Sequence, residues 1–170
     1  MIKKIQQQKR ISFIVNDLRF GGAERHTIDL ANGLSRLGYS CQIIALGINN
    51  DLYAQIDDEI EFLSFERKSY LDFSVIRKVA QVIRKNQTTS IFAVNTFSMF
   101  YAFLTKFLIK YPIEIMLIHH TTKLLTSKDR IKNFFYVLIM NQLDRIIYVS
   151  EMQRKYWKAK YALRSKKTIV

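Results

Sequence analysis

The sequence predicts an α/β fold: Rossmann-like and doubly wound, with a mainly parallel sheet and helices on both faces. Three observations predict it. Short apolar runs alternate with helical patterns along the whole chain. Several runs are apolar at nearly every position, as strands are when helices cover both faces of a parallel sheet. Paired glycines, Gly21 and Gly22, stand between the first apolar run and the first amphipathic one, where a strand turns into a helix in this architecture. With 170 residues, 49% of them hydrophobic, the chain suffices for one domain with a proper core and falls short of the usual size for two.

The first strand is ISFIV, residues 11–15. In the helix after the glycines, Thr27, Leu30, Ala31, Leu34 and Leu37 form one stripe at three- and four-residue spacing. Arg25, Asn32 and Arg36 lie off that stripe, and Gly38 takes the C-terminal cap. CQIIAL (41–46) and IEFLSF (60–65) are the second and third strands. A helix over about 73–86 leads to SIFAVN (90–95), one over about 98–110 to IEIMLI (113–118), and one over about 129–142 to RIIYVS (145–150). Ser150, followed three residues on by Gln153, is a capping box that stops the strand at Val149 and opens the last helix, 151–162. Right-handed crossovers then give a parallel sheet of six or seven strands with the first strand internal. Ligands of such sheets bind beyond the carboxyl ends of the strands, where strand order reverses.

Composition removes several classes. Five glycines and one proline leave little room for linkers, and no solenoid-like repeat is present. The single cysteine, Cys41, gives neither a disulfide framework nor metal-ligand spacing, which fits the reducing cytosol. The basic start MIKKIQQQKRISFIVN has an apolar core of only ISFIV, shorter than the roughly 7 to 15 residues of an export signal. FSMFYAFLTKFLIKYPIEIMLI is cut by Lys106, Lys110 and Pro112, so nothing approaches the roughly 20 apolar residues of a bilayer span. The run DDEIE at 57–61 has no His or Cys beside it and reads as a solvated turn, not a metal site.

Charge points to an anionic partner: 27 basic residues against 14 acidic give a net +13. After Glu151 there is no acid, while RKYWKAKYALRSKK interleaves seven basic residues with Tyr156, Trp157 and Tyr161. An anionic membrane surface would attract such a stretch. A nucleic-acid module would carry the same charge, but no helix-turn-helix, zinc finger or RNP-like run is present, and no nucleic acid is expected as a partner.

A strand-to-helix turn with paired glycines lets backbone amides approach a ligand and aims a helix N-terminus at it, which makes an anion site. The plainer alternative is that the glycines only make the turn. A nicotinamide fold would want G-x-G-x-x-G and an acid after the second strand, whereas Glu24 starts this helix and IIALGIN ends without an acid. No Gly-Lys-Ser or Gly-Lys-Thr occurs, so the phosphate loop of nucleotide hydrolases is missing. His119 and His120 directly follow the fifth strand, where alternation lets only one of them face a cleft; the plainer alternative is a strand end whose imidazoles bond to nearby backbone. Asn95 and Thr96 close the fourth strand as turn formers, which are more often structural than part of a site. Ser150 is a helix cap first and a site residue by proximity.

At these residues the chain resembles a known family. GGAERHTIDLANGLSRLGYSCQIIAL is similar to the first βα unit of the amino-terminal domain of family 4 glycosyltransferases, retaining enzymes of the two-domain GT-B type. IMLIHHT resembles the fifth strand that delivers a histidine to the interdomain cleft, and RIIYVSEMQRKYW resembles the V-S strand and its helix. The likeness runs along essentially the whole chain. It implies hexosyl-type transfer from a nucleotide-sugar donor to a glycan or lipid-linked acceptor with retention at the anomeric carbon. Cell-envelope polysaccharide synthesis at the inner face of the membrane is the implied setting.

The resemblance implies a catalytic role for His119 and substrate contacts for Gly21, Gly22, Asn95, His120 and Ser150. His120 stands where the family often has Asp, Asn or Gly, a departure that leaves the choice between the two histidines open. No cofactor is implied. In the family, a segment like KKTIV leads into a second Rossmann-like domain, which holds the donor and carries paired glutamates. The sequence stops at Val170, so the chain reads as the acceptor-side half, inactive alone. A non-catalytic subunit that docks to a separate donor-binding chain is the alternative.

Overall fold

The structure, a computed structural model, describes residues 9–120, 127–161, 163 and 168–170, and for 127–133 the course of the backbone. Among the described residues seven strands form one sheet: β1 (Arg10–Val15), β2 (Ser40–Ala45), β3 (Glu61–Ser64), β4 (Ser90–Val94), β5 (Glu114–His119), β6 (Arg145–Tyr148) and β7 (Thr168–Ile169). Their order is β3-β2-β1-β4-β5-β6-β7, and every pairing is parallel. Five α-helices connect them: α1 (Gly22–Arg36), α2 (Phe73–Lys85), α3 (Asn95–Lys106), α4 (Ser127–Met140) and α5 (Glu151–Tyr161). The first strand is internal and the sheet doubly wound, as the apolar runs predict. Strand order reverses between β1 and β4, which fixes where a ligand crevice opens.

Side-chain alternation divides the core in two. Ile11, Phe13 and Val15 of β1 pack with Ile28 and Ala31 of α1 on one face. Ile14 points to the other, where α2 and α3 supply Val79, Ile83, Met99 and Tyr101, and α5 supplies Trp157. On α2 the buried set Val75, Ile76, Val79, Ala80 and Ile83 follows the helical repeat, and Asp72 caps the start by accepting from the Ser74 and Val75 amides. Complete burial of one such aliphatic side chain is worth about 1.5–3 kcal/mol.

The structure corrects three details of the sequence reading. In α1, Ile28 and Asn32 are buried while Leu37, at 75% exposed, lies outside the stripe. The helix ends at Arg36, and Gly38 takes the left-handed backbone (φ 87°) that turns the chain into β2. Asn32 turns inward because its side chain donates to the Gln55 carbonyl (2.9 Å) and accepts from the Asp57 amide (3.1 Å), tying down the connection between β2 and β3. Helix α3 starts at Asn95, three residues before the expected start, because Asn95 makes the whole strand-to-helix turn at φ 65°, a conformation Asn tolerates better than most residues. In α5 the aromatic residues do not alternate with cations on the surface. Trp157 is fully buried, Tyr156 and Tyr161 pack against the core, and Lys155, Lys158 and Lys160 face outward.

Candidate functional site

Ile14 lies opposite Ala93 in the β1–β4 ladder, so the chain leaves these strands side by side at Asn16 and Asn95. From β1 it runs through residues 16–20 to Gly21, which precedes α1 in extended conformation (φ −166°, ψ 160°). No side chain caps this helix entrance, so its first-turn amides remain available to a ligand. Neither Gly21 nor Gly22 has left-handed backbone. A Cβ at Gly22 would meet nothing within 4 Å, whereas one at Gly21 would strike the Glu24 carboxylate. The turn itself therefore does not demand glycine at Gly22; open approach to the amides is what its missing side chain provides. Glu24 meanwhile lies over Gly21 and complements the positive helix end.

The two histidines part at the end of β5. His119 follows Ile115 and Leu117 onto the α2–α5 face, where its ring is fully buried 4.3 Å from the Trp157 ring centroid and 6.0 Å from that of Tyr148. Gln153 accepts from the Val149 amide through Oε1, and its amide Nε2 lies 3.4 Å from His119 Nδ1. His120 lies on the other side, its ring 5.3 Å from that of His26 on α1. Burial, and then the proximity of His26, lower its pKa from the ordinary 6.5 and favour neutral imidazole. His120 Nε2 is buried and has no hydrogen-bond partner among the described residues. A buried polar atom left unpaired calls for an explanation.

Asn95 is a positioning residue: its Oδ1 accepts the His120 amide at 3.0 Å and so ties the end of β4 to that of β5. Ser150 caps α5, its Oγ accepting the Gln153 amide at 3.2 Å. Ser150 thereby supports the wall around His119 and is separated from the glycine turn by the sheet order. Sequence reasoning missed three residues at this end of the sheet. Asn16 directly follows β1, and His26 lies one helical turn beyond Gly22. Arg67, three residues after β3, donates through Nε to the Leu46 carbonyl (2.5 Å) and through Nη2 to Asn16 Oδ1 (2.8 Å). Its guanidinium lies 4.3 Å from the Phe97 ring centroid. Only Asn16 carried a positional signal, since it stands at the carboxyl end of β1 beside the switch; His26 lies within α1 and Arg67 follows the edge strand β3. The acidic run at 57–61 is a turn in which Asp57 is held by Arg36 at 2.9 Å.

These features define a doubly wound domain whose β1–β4 switch is flanked by an uncapped helix entrance and by His120, a histidine with a lowered pKa. Residues 20–170 match the family described as Glycosyltransferase Family 4, and the chain belongs to that family. It is 25% identical over 153 residues to an uncharacterized glycosyltransferase of Haemophilus influenzae, a match covering 88% of this chain and 42% of that protein. Its fold resembles that of a glycosyltransferase from Rickettsia africae, with a TM-score of 0.75 at 18% identity over 96% of this chain and 42% of the other. It also resembles Anabaena HepE, solved with UDP and glucose, with a TM-score of 0.73 at 14% identity over 94% and 43% of the two chains. The chain thus spans less than half the length of each of these relatives. Among the described residues no helix is long and apolar enough to cross a membrane.

Proposed function

We propose that this chain is the acceptor-side half of a retaining glycosyltransferase, which moves a hexose from a nucleotide-sugar donor to a glycan or lipid-linked acceptor. Membership of the glycosyltransferase family over residues 20–170 carries the reading. The crevice at the strand switch gives it a location. In such a reaction the departing diphosphate gains negative charge and the transferred sugar becomes cationic. The first-turn amides of α1, reached across Gly22, can donate to the diphosphate. Neutral His120 can accept a hydrogen bond from, or donate one to, a sugar or acceptor hydroxyl through the Nε2 that lacks a partner among the described residues. Asn95 holds the backbone of His120 in place. We give the transition-state role to His120 and not to His119, because the His119 ring is enclosed by Trp157, Tyr148 and Gln153.

The same proposal sets the enzyme at the cytoplasmic side of a membrane, in envelope polysaccharide synthesis. Support comes from exposed apolar side chains, Phe107 and Leu108 close in sequence to Lys110, and Phe134, Phe135 and Leu138 on α4. Donor binding rests mainly with a second domain, so the 170-residue chain should turn over no nucleotide sugar by itself. Joined to a donor-binding half, it should transfer sugar with the anomeric configuration retained, read by NMR of the product. Turnover by the purified chain alone, or an inverted product from the joined enzyme, would overturn this reading.

A further inference from the structure

Arg67 carries a charge that no described side chain neutralises. Three elements hold its guanidinium plane at the carboxyl edge of the sheet: Leu46 after β2, Asn16 after β1 and Phe97 in the first turn of α3. All three partners are neutral. The ion pairs among the described residues join Arg19 to Asp17, Arg36 to Asp57 and Arg154 to Glu151, and none includes Arg67. Among the described residues the hydrogen bonds of Arg67 reach a carboxylate through the Asn16 amide, whose Nδ2 donates to Asp17 at 2.9 Å, and Asp17 is itself paired with Arg19 at 2.9 Å. Partial removal of a cation from water is costly unless an anion answers it. Pinning its plane as well costs side-chain entropy. With Nε and one Nη2 hydrogen engaged, the remaining donors of the fork suit an oxyanion, the planar recognition at which Arg excels.

We infer that Arg67 is the anchor for an oxyanion, phosphate or carboxylate, carried by the acceptor, so that the acceptor is an anionic sugar or sugar phosphate. This rests on the glycosyltransferase reading of the crevice. Asn16 and Phe97 are positioning residues in it: the one fixes the fork, the other its plane.

The test titrates the isotope-labelled 170-residue chain at constant ionic strength with glucose 6-phosphate, glucuronate and uncharged methyl glucoside. The Arg67 Nε–H resonance reports the anchor, and the Gly22 and His120 amides report the crevice. At least one anionic sugar should shift the Arg67 resonance saturably, the two probes separating phosphate from carboxylate. Arg67→Met should weaken that binding about tenfold or more, the scale of a charge-assisted hydrogen bond. Arg67→Lys should weaken it less, and Lys85→Met, which removes an exposed charge elsewhere, should leave it within about twofold of the parent by the same conversion. Near-UV circular dichroism checks that each variant is folded, and the parent titration needs no variant at all. If neither anion moves the Arg67 resonance, or Arg67→Met binds as tightly as the parent, the inference fails. Methyl glucoside shifting the crevice amides while both anions leave Arg67 unmoved would remove the anchor and keep the glycosyltransferase reading. An anion response at Arg67 with no sugar moving the crevice amides would keep the anchor and count against a sugar acceptor.

Discussion

His119 and His120 are chemically identical and adjacent, yet the sheet sends one into the aromatic core and the other to the α1 face. Alternation was legible in the sequence; which ring went where was not, because that depends on the faces that α1 and α5 cover. The His120 environment has a pH consequence. Its folded pKa lies below the ordinary 6.5, burial being the larger cause. Between the two values the unfolded chain binds more protons than the folded one, so stability rises with pH there and is lost as pH falls from about 6.5 through the folded value. Urea unfolding measured on both sides of that window should show the loss in the parent and a smaller loss in His120→Gln. An equal loss in both would mean that His120 does not sit in the environment described. Arg67 was illegible for a related reason: its partners Leu46, Asn16 and Phe97 come from three separate segments, and no local spacing in FERKSY announces them.

Among the elements, α2 was the most readable, since its apolar repeat and Asp72 cap are both local signals. α1 was half readable. Its C-terminal glycine turn showed in the sequence, but inward-facing Asn32 did not, because its partners lie 23 and 25 residues away. The entrance of α1 separates two explanations for its glycines. Gly22 has ordinary backbone and open space where a Cβ would stand, so Gly22→Ala should be neutral or stabilising by about 0.4–1 kcal/mol through the unfolded state. In the joined enzyme the same methyl obstructs the amides, and the donor KM should rise roughly tenfold, the scale of one lost charge-assisted hydrogen bond. Melting temperature and donor KM measured on one variant decide the matter. Unchanged donor KM would leave Gly22 with a turn-making role alone.

For the whole molecule, alternation of apolar runs and helical patterns predicted the order of elements, and the first strand is internal because the strand order reverses between β1 and β4. Composition could only demand an anionic partner for the net +13; it could not choose among diphosphate, anionic acceptor and lipid. For lipid, each basic residue near an anionic surface is worth about 1 kcal/mol at best, and salt screens it. Binding to anionic vesicles should therefore fall sharply as salt is raised and be weak on neutral vesicles, and equal binding to both kinds would remove the membrane from the account. The central claim is that the crevice beside α1, with His120 in it, is where sugar is transferred. It is tested most directly by turnover of His119→Ala and His120→Ala in the joined enzyme at saturating donor, beside their melting temperatures. His120→Ala should lose about 10²-fold or more in turnover, the scale of a positioned acid-base group, while melting close to the parent. His119→Ala should keep most of its turnover and melt lower, because it opens a gap against Trp157. Loss of turnover in His119→Ala at unchanged melting temperature, with His120→Ala fully active, would contradict the account.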